Sequence, residues 1–588
     1  MEHAYINARK EGSMNLFKYL KGYRLTAALG GFFKFLEAIL QLFIPISFTM
    51  MMREAPLAIQ FWDFRIWKYF IAIVVCVVVS YVFSCLGQLF AHKVGAGVAS
   101  NIRLDLYKHI ATFSFPELDK FGVASLNNRA TKDISSMQDA VSRTVRIALR
   151  IPAVFFGCLV VLFLIDWSVA LIIVALVPII VLILVLLFKF FKKGYPKIAL
   201  SRDKITTVTR ENVRGARIVR AFTNEKLEES RFVARNKEYA IAVHNLAKVS
   251  SVIQPLVGFF IGLTLVAMYL VSGYDMELGI IDPTLLPILT SYTHELVSFM
   301  VMVIDFVIIL GAGRASWLRI KEVMNLHASI TSPENACFYN TDGNNAIEFV
   351  DVSFVYPNGD VALRDISFRI GAKERIGITG FTGSGKTSLV NLIPRFCDTS
   401  GGKILLNGVD VRDYDLSSLR QAIAFVSQTT DMISGTIAQN LQFDGEHTKE
   451  EMYEALRVAD GLNVLEAKPG GLSEVVLAEG RNFSLGQQQR ISVARGIIMQ
   501  RGVLIFDDSF SALDNITENK IQREIMKTDY DPILITVSQK VSTLKTMDRI
   551  ILLDKGSVSM IGAHEELVKK SPLYRKIVIS QEGDDSNA

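Results

Sequence analysis

The first half of this chain carries apolar runs too long for a water-facing surface to hide. Six of them, residues 25–51, 67–90, 147–165, 169–188, 252–271 and 285–310, match the roughly 20 residues a helix needs to cross a bilayer. The fold class expected is therefore an α-helical membrane domain with six transmembrane helices. Half of the 588 residues are apolar, and the excess ends soon after residue 310, where a soluble α/β pattern begins. A net charge of +5 from 63 basic and 58 acidic residues argues for no nucleic-acid partner. The cysteines Cys76, Cys85, Cys158, Cys337 and Cys397 follow no metal-ligand spacing and imply no disulfide framework.

The charges between the runs orient them. Asp166-Trp167-Ser168 alone joins the third and fourth runs, and 272–283, between the fifth and sixth, holds Asp275, Glu277 and Asp282 without a Lys or Arg. The stretches after the second and fourth are long and basic, with Arg103, Lys108, Arg129 and Lys132 in one and Arg202, Arg210, Arg214 and Arg217 in the other. Basic excess marks the cytoplasmic side, which places both termini there. Both stretches keep helical spacing and are expected to run as helices far out of the membrane. Residues 1–23 lack the apolar core of a signal peptide, and the amphipathic part near 15–21 suits the membrane surface. Within the runs, Lys34 and Glu37 share a helix face and should pair. His294, Glu295 and Asp305 need a cavity or a partner, and Asp305 either lines a substrate path or makes a structural pair.

The soluble half opens on a phosphate-binding loop, Gly380-Phe381-Thr382-Gly383-Ser384-Gly385-Lys386-Thr387, between an apolar strand and a helix. Loop N–H groups cradle phosphates, Lys386 reaches the β/γ oxygens and the Thr387 hydroxyl suits Mg²⁺. Ahead of it, Tyr356 either stacks on a base or packs as an ordinary core or surface aromatic. Beyond it come Gln428 after a strand, then Phe483-Ser484-Leu485-Gly486-Gln487 at a helix start. A second apolar strand ends in Asp507-Asp508, followed by Asp514, and a third ends in Ser538-Gln539-Lys540.

This order and spacing resemble the nucleotide-binding domain of ATP-binding cassette transporters, and with six spans ahead of it the chain resembles an exporter-type half-transporter. The resemblance implies ATP and Mg²⁺ as cofactors, outward pumping of a hydrophobic or amphipathic, multidrug-type substrate, and a multi-pass protein of a bacterial plasma membrane. It implies domains at 1–24 (amphipathic segment), 25–325 (membrane domain), 326–345 (linker), 346–580 (an α/β P-loop nucleotide-binding domain) and 581–588 (tail). Tyr356 then matches the A-loop, Gly380–Thr387 Walker A, Gln428 the Q-loop with a share in the metal site, Ser484, Gly486 and Gln487 the signature, Asp507 the Walker B metal ligand and Asp514 the D-loop. Arg129–Asp133 and residues 212–220 match the helix motifs that link nucleotide events to the membrane.

Three motifs depart from the family pattern. The catalytic Glu after Walker B is Asp508, the switch His is Gln539, and the signature Leu-Ser-Gly-Gly-Gln is Phe-Ser-Leu-Gly-Gln. Asp is one methylene short, and a displacement of about an ångström costs on the order of a hundredfold in rate. Gln can neither take up a proton nor become a cation. The expectation is a slow site in this chain and a heterodimer whose other half-transporter keeps the Glu and His. The alternatives are an ATP-binding regulatory or channel-like subunit, or half of a lipid or peptide exporter. A channel is disfavoured by the few ionisable residues in the spans.

Overall fold

The computed structural model describes residues 16–54, 64–340, 346–527 and 532–582. Most of the expected amphipathic segment at 1–24 lies outside these, as do 341–345 of the linker and 583–588 of the tail. The chain divides into two compact units, Met1–His109 with Ala124–Asn325, and Ile110–Val123 with Leu326–Ala588.

The first unit is helical. Its main elements are α1 (Arg24–Glu54), α2 (Phe64–Ile110), α3 (Ile134–Ile147), α4 (Arg150–Ile165), α5 (Trp167–Arg214), α6 (Glu225–Glu277) and α7 (Leu286–Met324). Among the described residues, four helical stretches are long and apolar enough to cross a membrane: Arg24–Glu54, Ile66–Ile110, Val123–Ile165 and Gly258–Glu277. At about 1.5 Å per residue the 47 residues of α2, 48 of α5 and 53 of α6 run roughly 70–80 Å, over twice a hydrocarbon core. The expected helical extensions are these. Asp166 makes the tight turn before α5, its Oδ1 accepting the Ser168 and Val169 N–H groups at 2.8 and 3.2 Å. Away from the apolar stretches, α5 and α6 are laced by Lys204–Glu238 and Arg231–Glu211 ion pairs at 3.3 and 3.4 Å.

A π-helical turn, Arg129–Asp133, precedes α3. Its Asp133 is buried and accepts hydrogen bonds from Ser316 (3.0 Å) and from both Nε (2.9 Å) and Nη2 of Arg319, all on α7. Arg129 meets Glu322 at 2.9 Å and donates to the Arg319 carbonyl at 2.9 Å. Two charged residues of one turn thus grip one face of α7 in a fork geometry. Small residues set the other approach: a Cβ on Gly95 of α2 would lie 1.9 Å from Ser142 Oγ of α3.

Lys34 and Glu37 pair as expected, at 2.7 Å, but they are not alone. Arg150 Nη1 stands 3.5 Å from the same carboxylate, and Lys34 also donates to Ser84 at 2.9 Å. One buried Glu therefore answers two cations.

The second unit holds two main sheets and one pair of short strands, β7 (Gly435–Thr436) with β8 (Val475–Val476). A four-stranded antiparallel sheet has the order β2 (Val361–Ile370), β1 (Ile347–Val355), β4 (Gly401–Leu406), β5 (Val409–Asp410). A six-stranded sheet has the order β12 (Ser557–Gly562), β11 (Arg549–Asp554), β3 (Arg375–Thr379), β10 (Ile533–Val537), β9 (Val503–Asp507), β6 (Ile423–Val426), all parallel but for β12. β9 and β10 are buried at every position, which is why they read as unbroken apolar runs.

The stretch 110–123, expected within the membrane domain over 25–325, groups instead with this second unit. Its short helix Phe115–Phe121 puts the Phe115 ring edge-on to Phe396 at 5.2 Å, and Glu117 accepts the Ser329 N–H at 3.2 Å. These contacts join residues far apart in sequence, and no local pattern announces them.

Removing the shared carboxylate with Glu37→Leu takes the counter-charge from buried Lys34 and part-buried Arg150, leaving them the neutral Ser84 and Gln41, and should cost about 3–5 kcal/mol. Thermal melting of the purified protein is expected to fall clearly, with Lys34→Met added to it restoring part of the loss. An unchanged melting temperature for Glu37→Leu would contradict this account.

Candidate nucleotide site

Parallel strands present their C-terminal ends along one edge, and in this sheet that edge carries the chemistry. The loop Gly380–Thr387 leaves β3, Ser538 and Gln539 follow β10, Asp508 follows β9 and Gln428 follows β6. The register puts Val537 opposite both Ile378 and Asp507, so the loops emerge level with one another. Between them is a cavity of about 400 Å³ lined by Tyr356, Thr382, Gly383, Gly385, Lys386, Thr387, Gln428, Asp507, Asp508 and Gln539 among others.

The loop's glycines are conformational necessities at two positions. Gly380 (φ +149°) would put a Cβ 2.3 Å from the Leu553 carbonyl oxygen, and Gly385 (φ +96°) one 2.7 Å from that of Ala362. Lys386 opens α8 (Lys386–Leu392), and its Nζ curls back onto the Gly380 and Phe381 carbonyls at 2.9 and 3.0 Å. Burial pulls its ammonium below the usual lysine range. Ser384 Oγ is buried without a partner among the described residues, a donor waiting for an acceptor.

Thr387 Oγ1 donates to Asp507 Oδ1 at 3.1 Å, and Gln428 Nε2 donates to Asp508 Oδ2 at 3.0 Å. Burial, with the Asp508 charge adding to it, raises the Asp507 carboxyl above the usual range; burial raises Asp508 as well. Asp508 adopts φ +49°, rare for a residue with a Cβ, and its N–H donates to the Val537 carbonyl at 3.1 Å. The shortened carboxylate is thus held by the glutamine of the neighbouring strand. Gln539 is exposed in the cavity, its carbonyl accepting from Gln581 at 2.7 Å.

The donor set fits Mg²⁺ with a nucleotide. Thr387, Asp507 and Gln428 offer hard oxygens, and no group of three or more His, Cys, Asp or Glu among the described residues makes an all-protein metal site. Mg²⁺ bound through one or two protein oxygens completes its shell with phosphates and water. When bound, ATP and Mg²⁺ supply the phosphoanhydride and its charge neutralisation; the chain supplies the cradle, a cation at Lys386 and two carboxylates. Tyr356 is braced for a flat ligand by a 2.8 Å hydrogen bond to Ser388, a partner that no sequence motif signalled.

The signature residues lie outside this cavity. Ser484 caps α9 (Leu485–Ile498) in a capping box with Gln487, and Gly486 lies in the same first turn. Phe483 is buried, whereas Leu485 is 56% exposed. Asp514 is not in the cavity either: its carboxylate caps α10 (Asn515–Ile525), accepting the Ile516 and Thr517 N–H groups. The bonds to Thr517 hold its carboxyl below the usual range.

The first unit has its own cavity, about 620 Å³, bordered by Gln41, Arg150, Thr290, Tyr292, His294 and Glu295 with apolar neighbours. Asp305 is exposed and is not among its lining residues.

Comparison with known proteins agrees with this geometry. Residues 27–300 match the family described as ABC transporter transmembrane region, and 363–511 the family described as ABC transporter. An uncharacterised ABC transporter ATP-binding protein of Mycobacterium tuberculosis is 30% identical over 83% of this chain and 84% of its own length. The chain belongs to the ABC transporter family. It is a transporter ATPase subunit with the exporter arrangement, a membrane region fused ahead of its nucleotide-binding region. An ATP-dependent lipid A-core flippase of Desulfotalea psychrophila is 30% identical over 83% of this chain and 85% of that protein. In fold, the chain is similar to a bacterial Atm1-family ABC exporter solved with ATP bound, with a TM-score of 0.81 at 20% identity over 96% of this chain and 99% of that one.

Replacing Lys386 by Met removes a charge-assisted donor worth about 1.5–3 kcal/mol. Binding of a fluorescent ATP analogue to this chain's pocket should weaken by roughly 10–100-fold, as that energy implies. Unchanged affinity would show that phosphate is held elsewhere.

Proposed function

We propose that this chain is one half of a heterodimeric ABC exporter of six spans per half, both termini cytoplasmic, and that its own Walker pocket binds ATP but turns it over slowly. The observation that carries this reading is the pairing of Asp508 with Gln428 at 3.0 Å beside an exposed Gln539. A general base must reach the attacking water, and this carboxylate is one methylene short and already engaged. Gln539 offers a neutral amide where the family's His offers a charge. Any self-paired assembly would carry both losses at both sites. A partner half-transporter with Glu and His would supply the working pocket, served across the interface by this chain's Ser484, Gly486 and Gln487. Arg129–Asp133 and residues 212–220 then pass nucleotide events to the membrane helices.

The substrate proposed is a hydrophobic or amphipathic molecule. Flippases of a lipid among the relatives, and polar groups at one apolar-walled cavity of the first unit, support an amphiphile with a polar head over a purely apolar drug.

Purified alone, the chain should hydrolyse ATP weakly and gain activity on co-expression with its partner. Robust turnover by the isolated chain would overturn the two-chain reading. In an assembly whose partner has lost its own catalytic Glu, Asp508→Glu should restore part of the hydrolysis and Asp508→Glu with Gln539→His more than either change alone. If the double variant stays as inactive as its parent, these two residues do not limit the site.

A further inference from the structure

The loop from Asp508 to Asp514 is clamped from both sides by groups that no motif singles out. On one side Lys540, next to Gln539, donates from Nζ to the Phe510 and Leu513 carbonyls at 3.0 and 2.6 Å and to Glu518 at 3.0 Å. Glu518 is 1% exposed and is also bonded by the Thr543 hydroxyl, so the ammonium is anchored to the core. On the other side Gln489 of α9, also 1% exposed, donates to Ser511 Oγ at 3.1 Å and accepts the Ala512 N–H at 2.9 Å. Four consecutive residues, Phe510 to Leu513, are held by two side chains. One side chain begins at the phosphate cavity and the other on the helix that Ser484 caps.

We infer that Lys540 and Gln489 are positioning residues that make the Phe510–Leu513 loop a rigid strut between this chain's phosphate cavity and its signature turn. The Lys540 backbone follows Gln539, which lines the cavity. A displacement of the Ser538–Lys540 turn therefore drags two loop carbonyls with it. Gln489 lies one helical turn into α9 and carries that displacement to Ser484–Gln487. Side-chain hydrogen bonds made at both ends leave the loop no independent rotation, which a single bond would not ensure. This inference rests on the two-site reading, because the strut gains its purpose when the signature serves a nucleotide other than the one in this cavity. Neither Lys540 nor Gln489 is among the residues lining the cavity, so binding there should be indifferent to both.

The test uses the full chain in whichever assembly hydrolyses ATP, so it stands apart from whether that assembly holds one copy or two. Lys540→Met is combined with Glu518→Gln so that no buried carboxylate is left unpaired. The pair should lower kcat, expressed per bound nucleotide, by roughly tenfold, the scale of coupling lost through a packed network. KM and the affinity for a fluorescent ATP analogue should stay within about twofold, because no phosphate contact is lost. Lys540→Arg should keep most of the activity, since a guanidinium can reach the same carbonyls. Gln489→Leu should produce a similar fall, and all three changes together should be no worse than either set, as expected for two ends of one strut. Effects that multiply, or a kcat unchanged by Lys540→Met with Glu518→Gln, would overturn the inference. If that pair does not fold, Gln489→Leu, which removes both the donor to Ser511 and the acceptor from Ala512, carries the test alone. An unchanged kcat there would overturn the inference equally.

Discussion

Backbone hydrogen bonds hold β10 between β3 and β9, with Val537 facing Ile378 on one side and Asp507 on the other. Everything chemical in the second unit depends on that parallel register. A shift of one residue would turn every side chain of a strand to the opposite face and withdraw Asp507 from Thr387. Burial of all five residues of both β9 and β10 is what fixes it, since slipping a strand with two apolar faces must break packing on both. The sheet thus acts as a jig: loops that differ in sequence and length are delivered to one edge at one height.

On that edge the two departures from the family pattern become one physical situation. Asp508 and Gln539 follow neighbouring strands, both line the cavity, and the shorter carboxylate takes a hydrogen bond from Gln428. The cradle itself is complete, with its left-handed glycines, its lysine and the Thr387–Asp507 pair. On the proposed reading, this pocket with its binding groups in place and its reacting groups altered holds a nucleotide rather than consuming it. Leu485 does not enter this pocket; it lies exposed at the head of α9, where the neighbouring capping box is intact.

The sequence made the phosphate loop, the terminal carboxylates of β9 and the apolar runs legible because each is local: a spacing, a strand end, a length. Lys34 and Glu37 were legible for the same reason, being three residues apart on a helix. Arg150 as their third member was not, nor was the fork of Arg319 on Asp133, since both cross between helices. The Phe115–Phe396 contact that draws 110–123 into the second unit likewise belongs to tertiary packing, as do Ser388 under Tyr356 and the clamps of Lys540 and Gln489. Asp514, matched to the D-loop by its motif, also caps a helix in this chain, a role that an Asp immediately before a helix start describes equally well.

The central claim is that this chain's pocket retains ATP while another pocket turns over. It is tested most directly by identifying the nucleotide trapped on this chain after the assembly has hydrolysed many equivalents. A radiolabelled photo-crosslinkable ATP, followed by separation of the two chains, reads that identity. The account predicts intact triphosphate on this chain and diphosphate on the other. Diphosphate on both chains, accumulating at equal rates, would contradict it.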